Sequence, residues 1–151
     1  MRIIITALGT AGDIFPLIPL AKVLQEKGYS VTFASTPNFK EVIEQNKLDY
    51  QELLDEDFYR EFTSHPGLHD FNKTLELVST YFITKASRKI YEFIKNQYSQ
   101  NEKLLVLSPG TAAFGVLIAQ EKLNIRTIIV HLTNVGLPSK LEPPRTYPYY
   151  I

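Results

Sequence analysis

A chain of 151 residues, 44% of them hydrophobic, is long enough for one domain with a substantial interior. Lysine plus arginine and aspartate plus glutamate number 16 each, so there is no basic surplus to suggest nucleic acid and no cationic helix to suggest an anionic membrane. Cysteine is absent, which excludes disulfides, thiolate metal sites and a cysteine nucleophile, and fits a reducing cytoplasm.

Strand and helix signals then alternate along the sequence. Residues 2–8 ("RIIITAL") are a continuous apolar, β-branched run, as a central parallel strand covered on both faces requires. The run stops at a glycine turn, too short for a signal-peptide core or a membrane span, and is expected to be a buried first strand. In residues 17–27 the apolar positions Leu17, Leu20, Ala21, Val23 and Leu24 follow helical spacing, with Pro16 and Pro19 in or near the first turn and Gly28 as the stop. Residues 29–35 ("YSVTFAS") are a second strand, 37–47 a short helix opened by proline, and 48–54 ("LDYQELL") a third strand.

Residues 55–100 break the rhythm. A short helix at 57–63, a turn at "SHPGLHD" and one long, aromatic-rich helix at 71–98 are expected there. "KLLVLSP" is a fourth strand, "TAAFGVLIAQEKL" a helix and "RTIIVHLT" a fifth strand. The alternation predicts an α/β, Rossmann-like, doubly wound parallel sheet of order 3-2-1-4-5. The domain is expected to span 1–135, with a proline-rich extended tail at 136–151.

In such sheets ligands bind beyond the carboxyl ends of the strands, where the loops at Gly9–Phe15, Ser108–Thr111 and His131–Val135 are expected to converge. The turn "LGTAGDIFP" has its glycines in the wrong places for G-x-G-x-x-G, and it lacks the Lys-Ser/Thr of a Walker loop. The second strand ends in Ser35 and Thr36, not in a ribose-binding acid. What remains is a tight turn presenting one carboxylate, Asp13. It is either a helix N-cap or a general base in a cleft.

The stretch "GTAGDIFPLIPLAKVLQEKGYSVTFAS" resembles the opening of the acceptor-binding, N-terminal domain of two-domain GT-B glycosyltransferases, which use nucleotide sugars. Within them the sequence is most similar to the group that holds the rhamnosyltransferase B subunits and the sterol glucosyltransferase-like enzymes, with segments such as "HPGLHDF" and "LPSKLEPP" in matching order. The resemblance implies an inverting hexosyltransferase in which Asp13 is the base or an orienting carboxylate at an acceptor hydroxyl. Where other branches carry a His–Asp dyad, this sequence has Asp13 and, at the fourth strand's tip, Ser108, so that dyad is excluded. Gly9, Thr10 and Gly12 are expected to shape the turn. Ser108, Gly110, Thr111 and Thr133 are pocket candidates by position, and His131 is a second candidate for proton transfer.

Some of Phe71, Tyr81 and Phe82 are expected to line an apolar acceptor pocket, the alternative being core. The nucleotide sugar, a UDP- or dTDP-hexose, is expected on a C-terminal donor-binding domain in the same gene or on a separate polypeptide, so this chain alone is expected to be inactive. The implied partners are that domain and an apolar hydroxylated acceptor such as a lipid. The enzyme is expected in the cytoplasm, with peripheral membrane association as an option, and neither a metal nor a cofactor held by this chain is called for. His65 and His69 have a metal-ligand spacing, but Pro66 and Gly67 between them argue against helix geometry. The competing readings are a flavodoxin-like binding module and a non-catalytic regulatory subunit.

Overall fold

The computed structural model describes residues 1–100 and 103–132. Five strands, β1 (Arg2–Thr6), β2 (Ser30–Ser35), β3 (Asp49–Glu52), β4 (Leu104–Pro109) and β5 (Arg126–Val130), form one parallel sheet of order β3-β2-β1-β4-β5. β1 lies at its centre, with Ile3 beside Val31 on one neighbour and Leu105 on the other. Ile3, Ile4 and Ile5 are all fully buried, which is why this strand carries an unbroken β-branched run and not an alternating one.

Successive side chains feed opposite layers. Ile3 and Ile5 join Phe33, Ile14, Leu17, Ile18 and Ile43 under α1 (Ala11–Ile14), α2 (Leu17–Glu26) and α3 (Lys40–Gln45). Ile4 and Leu8 join Val106, Ile90, Ile94 and Val116 under α6 (Ala86–Gln97) and α7 (Ala113–Leu123). These last two helices cross closely: a Cβ on Gly115 would stand 2.5 Å from Ile90 Cβ and 2.6 Å from the Ser87 carbonyl oxygen.

Several elements differ locally from those expected, among them the following. β1 ends at Thr6, and the glycine turn is tightened by a separate helical turn, α1, before α2 begins. β5 ends at Val130, short of His131. The long helix is interrupted: α5 (Phe71–Val78) runs into a π-helical stretch (Ser79–Lys85) before α6. Within this stretch the adjacent rings of Tyr81 and Phe82 are both buried. There they pack edge-on against Phe58 and Phe62 of α4 (Glu56–Thr63), with ring centroids 4.9 to 5.9 Å apart. α4 is capped by Asp55, whose carboxylate accepts the Phe58 N–H at 2.9 Å. The Lys89 ammonium at 3.0 Å, together with that N–H, holds the Asp55 carboxyl below its ordinary range. Among the described residues no helix is long and apolar enough to cross a membrane. The tail at 136–151 lies outside them.

Candidate active site at the glycine turn

β1 delivers the backbone to Gly9, at the carboxyl edge of the sheet. Gly9 has φ +122°, and a Cβ there would stand 2.3 Å from Asp13 Oδ2, so both torsion and space demand glycine. Thr10 is the N-cap of α1 and Asp13 its third residue. The Thr10 N–H donates to Asp13 Oδ2 at 2.8 Å and the Thr10 hydroxyl to the same oxygen at 3.2 Å, while the Asp13 N–H donates to the Thr10 carbonyl at 2.9 Å. Of the two roles open to Asp13 in the sequence, the capping one is thus divided: Thr10 occupies the cap, and Asp13 folds back on it as in a capping box. The half-buried carboxylate is held through Oδ2, and Oδ1 accepts no hydrogen bond from the described residues. It is oriented and keeps one oxygen available.

The loop after β4 is tied to this turn. Thr111 Oγ1 donates to the Leu8 carbonyl at 2.6 Å, bringing Gly110 and Thr111 beside the end of β1. Gly12 and Gly110 are both exposed, and a Cβ on Gly110 would meet nothing within 4 Å. Ser108, a pocket candidate by position, is fully buried with its hydroxyl on the Pro109 carbonyl at 3.1 Å; it lies beneath the site, not in its wall. His131 follows β5 and is exposed. Thr133 lies outside the described residues, as does the side chain of Phe71. Tyr81 and Phe82, for which pocket wall and core were both open, are 7% and 3% exposed and pack in the core against Phe58 and Phe62. His65 caps a turn through Nδ1, which accepts the Gly67 N–H at 3.1 Å.

Two features escaped the sequence reading. Phe15, half-exposed at the end of the turn, leans edge-on against Phe39, which in turn leans on Tyr59, with centroids 6.2 and 5.7 Å apart. Its signal was a lone aromatic between the glycine turn and Pro16. Ser35 and Thr36, at the tip of β2, are buried with hydroxyls that have no hydrogen-bond partner. Nothing in the residue pattern marks them.

The sheet order and the carboxylate-bearing turn define a Rossmann-like domain of the kind that forms the N-terminal half of GT-B glycosyltransferases. The profile of the glycosyltransferase family 28 N-terminal domain matches residues 3–134, and the protein belongs to that family. Among solved structures it is similar to the glycosyltransferase SsfS6 of Streptomyces sp. SF2575, determined with thymidine diphosphate, at 18% identity and TM-score 0.64, over 87% of this chain and 38% of that one. SnogD of Streptomyces nogalater is similar at 16% identity and TM-score 0.62, over 89% and 34%. The calicheamicin glycosyltransferase CalG4 is similar at 11% and 0.66, over 93% and 32%. The present sequence therefore spans between about a third and two fifths of these proteins. No curated protein matches by sequence.

Proposed function

We propose that this chain is the acceptor-binding part of an inverting glycosyltransferase that moves a hexose from a nucleotide sugar to a hydroxyl of an apolar or lipidic acceptor. Asp13 Oδ1 takes the hydroxyl proton, and the acceptor oxygen forms a bond to C1 of the sugar. The bond from C1 to the phosphate oxygen breaks with its electron pair leaving on the nucleoside diphosphate, and Asp13 then releases its proton to water. The donor is held by a C-terminal domain of the same protein or by a separate polypeptide, in the cytoplasm, with the acceptor drawn from solution or from a membrane surface.

The observation that carries the reading is the asymmetric anchoring of one carboxylate at the sheet's carboxyl edge, with Oδ2 fixed by Thr10 and Oδ1 left for a ligand. The test is transfer of radiolabelled sugar from UDP- and dTDP-hexoses to a panel of hydroxylated acceptors, using the protein purified from its own host with whatever donor-binding partner accompanies it. Asp13→Asn keeps an acceptor oxygen for Thr10 but cannot take the proton, and is expected to lower kcat by about 10²- to 10⁴-fold. A variant that retains half the rate would remove Asp13 as the base.

A further inference from the structure

We propose that Thr111 is a positioning residue for Asp13: its hydroxyl clasps the peptide group that leads into Gly9, and so holds the turn from which the carboxylate is presented. The proposal rests on the reading of Asp13 as the base, and it names the residue outside the turn on which the orientation of that base depends.

The pairing of β1 with β4 ends at Ile5 beside Leu107, before the chain reaches the turn. Beyond that point the Ala7 N–H still donates to the Ala34 carbonyl of β2 at 2.9 Å, but the Leu8 carbonyl accepts from one described residue alone, Thr111, at 2.6 Å. The other hydroxyl between these two strands, that of Thr6, stands 3.5 Å from the Leu107 carbonyl, at the limit of a hydrogen bond. Thr111 is itself anchored. It is the middle residue of a tight helical turn, Gly110–Ala112, and Ala112 beside it is fully buried. Past that turn α7 is fixed by the close approach of Gly115 to Ile90 and to the Ser87 carbonyl. The loop after β4 is thus the rigid partner, and the end of β1 is what it holds.

Gly9 does not enforce its own conformation. A residue without a Cβ takes positive and negative φ with similar ease, so the +122° found at Gly9 has to be imposed by its surroundings. The Leu8 carbonyl and the Gly9 nitrogen lie in one planar peptide group, and the Gly9 φ is a rotation away from that plane. Fixing the carbonyl fixes the plane. The plane and the Gly9 torsions then set where the Thr10 N–H points, and that N–H holds Asp13 Oδ2 at 2.8 Å. Thr111 therefore acts on the carboxylate through Leu8, Gly9 and Thr10, with no hydrogen bond of its own to it. A threonine hydroxyl carries a single proton, and here it is directed to Leu8, so Thr111 has no proton to donate to an acceptor or to a developing charge. Its effect is one of geometry, which separates it from the residues that would touch a ligand.

The test compares Thr111→Val and Thr111→Ala, which lack the hydroxyl, with Thr111→Ser, which keeps it. Sugar transfer is measured as for Asp13→Asn, and exchange of the Thr10 amide hydrogen with solvent is followed by NMR of the isotope-labelled protein, with the Ile4 amide at the sheet centre as control. Thr111→Val and Thr111→Ala are expected to lower kcat by about 10- to 100-fold with KM within about twofold, as misplacement of a reacting group does. Both are expected to speed Thr10 exchange by about tenfold or more while Ile4 is unchanged, and Thr111→Ser to stay within about twofold of the natural protein in every quantity. A kcat that the valine variant leaves unchanged while Asp13→Asn is impaired would overturn the proposal and leave Asp13 in place as the base. A raised KM at unchanged kcat would make Thr111 an acceptor contact and overturn it as well, as would equal losses in the valine and serine variants. Full activity of Asp13→Asn would instead refute the catalytic reading and this proposal together. Amide exchange is read without any sugar transfer, so a Thr10 rate indifferent to the hydroxyl overturns the clasp whatever the donor proves to be.

Discussion

The glycine turn allows a stability experiment that isolates the contact on which the site depends. Gly9→Ala imposes two penalties. A residue with a Cβ at φ +122° is strained by about 1 to 3 kcal/mol. The new Cβ would also sit 2.3 Å from Asp13 Oδ2, so the carboxylate must swing away and abandon the Thr10 N–H it holds at 2.8 Å. Losing a helix-terminal interaction of this kind costs about 1 to 2 kcal/mol. Asp13→Ala removes the same interaction without straining Gly9, and costs that second amount alone. In the double variant there is no carboxylate left to displace, and the remaining Asp13 Cβ, 3.1 Å away, is tight but tolerable. The two effects are therefore expected to be sub-additive: about 3 kcal/mol for Gly9→Ala, about 1.5 for Asp13→Ala, and about 3 for both together. Urea unfolding of the four proteins at matched slopes measures the cycle. Simple additivity, near 4.5 kcal/mol for the double variant, would falsify the claim that Gly9 is glycine in order to seat Asp13.

Other positions respond in ways the packing determines. Gly115→Ala gains about 1 kcal/mol of helix propensity but drives a methyl against the Ser87 carbonyl and Ile90, and a net loss of about 2 kcal/mol or more is expected by the same unfolding assay. Thr36→Val removes a buried hydroxyl with no partner while preserving shape, and is expected to be neutral or stabilising by about 1 kcal/mol; a loss larger than that would show that the hydroxyl is satisfied. The Tyr50 phenol is pushed up to about 12, first by desolvation and then by the Glu52 and Glu44 carboxylates, and it donates to the Ser35 carbonyl at 3.3 Å. A raised folded-state value favours the protonated form, so its contribution is complete below pH 10 and fades as pH rises through about 12. Phenolate absorbance should show a late step that Tyr50→Phe removes.

How much was legible before the structure depends on the range of the forces involved. The unbroken apolar run ending in Ala7 and Leu8 announces a strand covered on both faces, because in a sheet with two layers no position of the central strand sees water. With short connections between elements, that one fact and the right-handed crossover rule are nearly sufficient for the order β3-β2-β1-β4-β5. The turn was legible for a different reason: positive φ and close approach to Asp13 call for glycine at position 9. What stayed hidden depends on which way a side chain points within an element whose type was correctly expected. Tyr81 and Phe82 are adjacent, and on a regular helix adjacent residues diverge by about 100°. Helical periodicity allows both on one apolar face about 100° wide, and so does not by itself separate a core position from a pocket wall. Ser108 sits at the tip of β4, where strand position suggests a pocket wall, yet it is fully buried with its hydroxyl on the Pro109 carbonyl, while Gly110 beyond it is exposed. The carboxylate belongs to both categories. Its place on the turn follows from sequence spacing, but its division into a held oxygen and one that accepts no hydrogen bond from the described residues arises from two hydrogen bonds with Thr10, which no residue pattern announces.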